Sequence, residues 1–286
     1  MNLKTNRQAL TSAQTLGLER LDAQLLLLHV LAHPSHDRAW LLTHDDDHLP
    51  SELADAFVLL AKRRMAGEPL AYLVGHKEFF GLHLAIDTRV LVPRPDTETL
   101  VDWALDQLLA EDAAAYPRVL DLGTGSGAIA LALAHTLQSR KRPVRIVAVD
   151  ASPQALAAAQ SNAVRLALDV SFLSSDWFSQ VDGRFDLIVS NPPYIADYDP
   201  HLAQLTHEPL QALTSGADGL NDLRRIIDDA PAHLQTGGWL LLEHGYDQSE
   251  AVHSLLAQQG FVDVQSRLDL SGIERCSGGK WNRTAG

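Results

Sequence analysis

The chain has 286 residues, 46% of them hydrophobic and 21% charged, enough for one large and one small domain with sizeable cores. Its formal charge of -13 falls almost wholly on residues 96–286, which hold 13 Lys and Arg against 25 Asp and Glu, so a phosphate backbone as the main partner is disfavoured. A single cysteine, Cys276, excludes an internal disulfide framework and any multi-cysteine metal site. The apolar run at 25–32 is too short to span a bilayer, and the first ten residues carry neither a secretory signal nor an Arg- and Ser-rich presequence. The expectation is a cytoplasmic protein with no metal and no membrane partner.

Residues 1–75 read as a small helical domain. In "LGLERLDAQLLLLHVLA" the spacing puts Leu18, Leu21, Leu25 and Leu28 on one face. "SELADAFVLLAKRRMAG" opens with a possible capping box, Ser51 followed by Asp55 one residue late, and stops at Gly67. The basic triplet Lys62 to Arg64 reads as an exposed helix face rather than a nucleic-acid patch. No catalytic constellation is visible here, which leaves substrate docking as the expected role.

The period then changes to two. Phe80, Leu82, Leu84 and Ile86 alternate with small or polar residues, and Asp87-Thr88-Arg89 could turn the chain before Val90 and Val92. Residues 76–95 therefore read as a β-hairpin linker. Asp96 is placed to cap a helix whose inner face carries Leu100, Val101, Ala104, Leu105 and Leu108. From about 117, "RVLDLG", "RIVAVD", "FDLIVS" and "WLLLEHG" alternate with helical stretches, which predicts a doubly wound α/β sheet over 96–286.

"VLDLGTGSGAIA" places Gly123, Gly125 and Gly127 between a strand and a helix, with the acid Asp121 just before them. Glycine there lets backbone approach a ligand, and the helix start offers free N–H groups. A dinucleotide fingerprint would tolerate Ala128 in its third place, so that alternative stays open at this point. Asp150, 23 residues after Gly127, ends the next strand and can accept both ribose hydroxyls of an adenosine, or else cap the helix begun by Ser152-Pro153. In "SSDWFS", Asp176 can accept from an adenine amino group and Trp177 can stack on it, although a lone tryptophan is more often core. Together the three strand ends describe a pocket for an adenosine without pyrophosphate, which S-adenosylmethionine fits.

The stretch "DLIVSNPPYIAD" ends a buried strand in Asn191-Pro192-Pro193-Tyr194. Two prolines end a strand and remove two donors. A planar NH₂ conjugated to a π-system cannot be deprotonated beforehand; it must be oriented, and the developing charge stabilised. The Asn191 side-chain oxygen and the Pro192 carbonyl can each accept one N–H, Pro193 stiffens the loop, and Tyr194 can stack on the flat acceptor.

These residues, with "PLAYLVGHKEFFGL", "LVPRPDTE", "SDWF", "EPLQAL", "GADGL" and "LLLEHG", resemble the HemK/PrmC family of peptide chain release factor glutamine N5-methyltransferases over about residues 15–275. The resemblance implies a Rossmann-like class I S-adenosylmethionine-dependent methyltransferase domain, a helical N-terminal domain and a hairpin linker. It implies methylation of the Gly-Gly-Gln glutamine of class 1 release factors, with S-adenosyl-L-homocysteine as product; a monomer is expected, and the charge argues against a direct nucleic-acid partner. Gly123, Thr124, Gly125, Ser126, Gly127, Asp150, Asp176, Trp177 and Asn191 would hold the cofactor. Asn191 to Tyr194 would hold the glutamine, with Asn191, Pro192 and Tyr194 catalytic. The pattern departs at Ser175, where the family often has glycine, and in the tail, where only Asp269, Gly272 and Arg275 match loosely.

Two other classes compete. A nucleic-acid adenine or cytosine methyltransferase shares the clamp but needs a flipped base and a basic channel, against which the net charge of residues 96–286 argues. A binding module without turnover would have no use for an intact Asn-Pro-Pro-Tyr beside an intact glycine turn.

Overall fold

The computed structural model describes residues 3–111 and 113–282; residues 1–2 and 283–286 of the expected first and last domains lie outside them, as does Asp112. Two compact units divide the chain, Met1–His76 with Gln204–His207 and Lys77–Ala203 with Glu208–Gly286. The return of Gln204–His207 to the first unit has no counterpart in the expected continuous domain. There His207 Nε2 lies 3.3 Å from the Ala66 carbonyl, 141 residues earlier.

The first unit is helical: α1 (Asn6–Thr15), α2 (Arg20–Val30), α3 (Trp40–Thr43), α4 (Ser51–Met65) and α5 (Leu70–Val74). Helix α1 begins where the Thr5 hydroxyl accepts the Gln8 N–H. Helix α4 instead starts behind Pro50 with Ser51 already helical, so the expected Ser51/Asp55 box is not formed. Its stop at Gly67, in the left-handed region, is as expected. Helix α2 buries Ala23, Leu26, Leu27 and Leu28 and leaves Leu21 to solvent. Four consecutive leucines carry no polar position to fix the rotation of the helix, so packing on α1 and α4 decides it. The core gathers Ala9, Leu18, Leu41, Phe57 and Leu73 around that stripe. Arg63 pairs with Glu68 and Arg64 with Asp22, each at 2.6 Å, which neutralises two cations of the basic triplet within the unit.

Strands β1 (His76–Phe79) and β2 (Leu82–Ala85) make the hairpin. Its turn is Phe80-Gly81, both at positive φ; the expected turn at Asp87 to Arg89 also forms, the Val90 N–H donating to the Asp87 carbonyl at 3.2 Å, but it follows the hairpin instead of closing it. Glu98 accepts the Phe80 N–H and Glu78 the Gly81 N–H, holding a turn that a phenylalanine adopts only with help. The shorter turn makes Phe79, not Phe80, the inward residue, while Leu82, Leu84 and Ile86 are buried as expected.

The second unit continues with α6 (Thr97–Leu109), β3 (Arg118–Leu122), α7 (Ala128–Ser139), β4 (Arg145–Asp150), α8 (Pro153–Leu166), β5 (Ser171–Ser174) and β6 (Phe185–Ser190). It closes with α9 (Asn221–His233), β7 (Leu234–Glu243), α10 (Ser249–Gln259), β8 (Val262–Leu268) and β9 (Glu274–Trp281). Helix α6 buries its five expected apolar residues and Trp103 as well, but the Asp96 side chain does not cap it and lies 3.5 Å from Arg275. The seven strands run β5-β4-β3-β6-β7-β9-β8, the doubly wound order, with β9 antiparallel to both neighbours. Leu120, Leu122, Ile188, Leu240 and Leu242 form one face of the sheet, covered by α9 and α10 through Leu223, Ile226, Val252 and Leu256. The alternate positions face α6 and α7. Strand order reverses between β3 and β6, and in open α/β sheets a ligand crevice opens beyond the carboxyl ends at that point.

Candidate active site

The residues after β3 build one wall of that crevice. Gly123, Gly125 and Gly127 all have φ between +56 and +85. At Gly127 the φ of +85 favours glycine, and a Cβ would also crowd Leu131 at 2.9 Å and Ala159 at 3.2 Å. At Gly125 a Cβ would meet nothing within 4 Å, so the turn is open toward the cavity. Thr124 and Ser126 are buried behind it. The Thr124 hydroxyl donates to Asp121 at 2.6 Å, and the Ser126 carbonyl accepts from Asn162, whose amide also pairs with both backbone groups of Ala85. Thr124, Ser126 and Gly127 thus shape the turn, and Gly123 and Gly125 face the ligand space.

Asp150 ends β4. One carboxylate oxygen accepts the Gly125 N–H at 2.9 Å and the other the Ser152 N–H at 2.8 Å, while Ser152 caps α8. Burial pushes the Asp150 carboxyl up, against these two donors. After β5, the Ser175 hydroxyl donates to the Trp177 carbonyl and accepts the Gln180 N–H, so serine in the family's glycine place closes the turn with its own side chain. Trp177 stands at φ +48 with its ring over Gly123, held by its indole N–H to Asp222 at 3.1 Å. Asp176 borders the cavity as expected, and its carboxylate is also bound by both terminal nitrogens of Arg225 at 2.9 Å.

These elements enclose a cavity of about 620 Å³, bordered also by Arg89, Leu91, Asn191, Pro193, Pro209 and Gln211. Its size lies within the range of ligand clefts, roughly 300–1,000 Å³. An open glycine turn, a buried carboxylate at the second strand end and an indole face fit an adenosine carrying an amino-acid tail.

The loop after β6 forms the far wall. Its backbone is tied down where Ile195 and Asp197 donate to Leu213 and Gly216. At Gly219 a Cβ would lie 2.2 Å from the Tyr194 carbonyl, so glycine there lets two chain segments touch. Asn191 Nδ2–H donates to the Thr97 hydroxyl oxygen at 3.2 Å, which leaves Oδ1 as the free end of the amide. Tyr194 departs from its expected stacking role. Its ring packs on the core, its hydroxyl donates to Glu243 at 3.3 Å, and it does not border the cavity. Burial, and then the charge of Glu243, push the Tyr194 phenol up.

Glu243 is the centre of a network that composition and spacing did not reveal. Arg275 of β9 stands 3.5 Å from both Asp96 and Asp269, so the loosely matching tail residues converge on this place. Gly272 sits at φ +80 in the β8–β9 turn that the Asp269 carboxylate closes. Glu208 of "EPLQAL" accepts from the Val92 N–H and pairs with Arg94, joining two motifs 114 residues apart. Asp222 and Asn162 were equally silent in the sequence, because each acts by bonding to a distant residue.

Burial pushes the carboxyls of both Asp121 and Glu243 up to about 7, from ordinary values of 3.8 and 4.5. The fold therefore binds these protons more tightly than the unfolded chain does. The stability this confers is full below about 4 and is lost as pH rises through about 7. The thermal midpoint of the ligand-free protein is expected to fall over that window, and Asp121→Asn should flatten the fall. Identical slopes for wild type and variant would contradict a buried, proton-holding Asp121.

The PrmC N-terminal domain matches residues 3–75, and the methyltransferase small domain matches residues 99–218. The chain is 51% identical over 267 residues to the release factor glutamine methyltransferase of Bordetella pertussis (strain Tohama I), covering 92% of this chain and 95% of that one. It is 47% identical over 276 residues to the protein of that description from Xylella fastidiosa (strain Temecula1), covering 95% and 97%. A solved methyltransferase from Pyrococcus furiosus shares the fold at a TM-score of 0.54 and 17% identity, covering 78% of this chain and 100% of that one.

Proposed function

Because the chain belongs to the release factor glutamine methyltransferase family, we propose that Asn191 and the Pro192 carbonyl present the glutamine amide to a methyl donor held by the glycine turn. The protein methylates the side-chain amide nitrogen of the Gly-Gly-Gln glutamine of release factors and depends on S-adenosylmethionine. When bound, the cofactor supplies an electrophilic methyl, and one amide hydrogen of glutamine is exchanged for it, leaving S-adenosylhomocysteine and a proton.

The observation that carries the residue roles is the place of Asn191. It stands at the carboxyl end of β6, at the strand-order switch, across one cavity from Gly123 and Gly125. Gly123 and Gly125 admit the cofactor to backbone contact, Asp150 receives its ribose hydroxyls, and Trp177 offers the face of its ring. Asn191 Oδ1 and the Pro192 carbonyl each take one N–H of the glutamine, which aims the nitrogen lone pair and lowers the cost of the charge it develops. Pro193 and Tyr194 keep the loop rigid, the latter from the protein side.

The reading extends to class 1 release factors as substrates, a monomeric enzyme working in the cytoplasm, and docking of the factor through the helical unit. Among the described residues no helix is long and apolar enough to cross a membrane. The test is transfer of labelled methyl to a purified release factor, to its Gln→Ala variant and to duplex DNA. Label on the unaltered factor alone supports the reading. Label on DNA would move the clamp to a base amino group, and label on the Gln→Ala variant would move it to another residue of the factor.

A further inference from the structure

Three side chains stand in line behind the clamp. Asn191 follows β6 and Glu243 ends β7, and the register Ser190↔Leu242 sets them side by side at the ends of paired strands. Thr97, the first residue of α6, is only 3% exposed, and its oxygen already accepts from Asn191 Nδ2. A hydroxyl has one hydrogen to give, and the Thr97 hydroxyl lies beside the Glu243 carboxyl and favours its charged form. Glu243 is wholly buried, and its Oε2 has no partner meeting hydrogen-bond geometry. A buried oxygen left unpaired is costly, and the Thr97 hydrogen is the donor at hand.

We propose that Thr97 and Glu243 form an orienting relay: the Glu243 carboxylate takes the Thr97 hydrogen, and this obliges Asn191 to present its carbonyl oxygen, not its NH₂, to the glutamine. The two ends of an asparagine amide have nearly the same shape, so only hydrogen bonding decides which one faces the substrate. Without an acceptor behind it, Thr97 can donate to Asn191 Oδ1. The amide then turns over and sets an NH₂ against the substrate's NH₂, donor against donor. Thr97 and Glu243 are positioning residues, acting through Asn191. The inference rests on the assignment of Asn191 as the glutamine acceptor.

Once protonated, Glu243 can give its own hydrogen to the Thr97 oxygen, and the Thr97 hydrogen then turns to Asn191 Oδ1. The groups facing Glu243 are Tyr194 from the loop, Arg275 and Cys276 from β9 and Asp96 before α6; Arg275 favours the carboxylate and Asp96 opposes it. Burial outweighs these and pushes the carboxyl up to about 7. The charged form is needed, so turnover is lost as pH falls through that value.

The experiment compares Thr97→Val, Thr97→Ser, Glu243→Gln and Asn191→Ala in the full chain. Thr97→Val is expected to lower kcat about 10²-fold, the cost of a misplaced positioning group. Its affinity for S-adenosylhomocysteine, read by calorimetry, should stay unchanged, and Thr97→Ser should restore most of the rate. With the enzyme saturated in S-adenosylhomocysteine, any binding advantage of the release factor over its Gln→Ala variant should vanish in Thr97→Val. Glu243→Gln, neutral at every pH and with an NH₂ that donates to Thr97 as the protonated acid does, should be as slow as Thr97→Val and show no acid limb, a readout that survives even if the valine variant folds poorly. Near wild-type turnover in Thr97→Val, or a serine variant as slow as the valine one, overturns the relay. If Asn191→Ala is also fully active, the clamp assignment itself has failed; if it is inactive while Thr97→Val is active, only the relay has.

Discussion

Asn191→Ala is expected to lower kcat by about 10²–10³-fold, the usual cost of removing one group that stabilises developing charge. Cofactor affinity should change little, because Gly123, Gly125, Asp150 and Trp177 form a separate wall of the cavity. The split follows from what the side chain meets. Asn191 Nδ2 is already spent on Thr97, so the free oxygen has the acceptor amide as its partner. Single-turnover transfer to a release factor, with cofactor binding measured in parallel, separates the two quantities. A variant that keeps its rate, or one that loses cofactor affinity in proportion to rate, would remove Asn191 from the acceptor side.

Asp150→Ala is expected to act in the opposite order, weakening S-adenosylmethionine binding about 10–100-fold before it affects the chemical step. Hydrogen bonds to a charged group contribute roughly 1.5–3 kcal/mol, which corresponds to that range. Two effects combine. The ribose hydroxyls lose their acceptor, and Gly125 and Ser152 lose the carboxylate that fixes the glycine turn against the start of α8. Asp150→Asn separates them, since an amide oxygen still accepts one backbone N–H while the charge is gone. Calorimetric affinities of all three proteins decide the matter; an alanine variant that binds as tightly as wild type would reduce Asp150 to a structural tie.

What the sequence made legible was whatever depends on neighbours along the chain. Alternating strands and helices, the glycine turn after β3 and the proline-locked loop after β6 are local patterns, and each lies where its pattern implied. The hairpin turn was misread because a phenylalanine at positive φ has no local signal; two glutamates, one of them 18 residues away, hold it. Asp176 borders the cavity as read, but nothing near it in sequence announces its partner Arg225, 49 residues on. Tyr194 was read as facing the ligand because a tyrosine beside a clamp invites stacking, whereas its hydroxyl finds a partner in Glu243. Thr97, Glu243 and Arg275 belong to quoted motifs yet showed no role, since a buried polar network exists only once three segments have been folded against each other.

The placement of β9 between β7 and β8 bears on how the protein comes into being. Among the described residues it is the last strand to leave the ribosome, yet it fills an interior position of the sheet. Until it arrives, β7 and β8 each expose an unpaired edge, an invitation to mispairing. Arg275 arrives with it, so the network behind Asn191 stays incomplete through nearly all of synthesis.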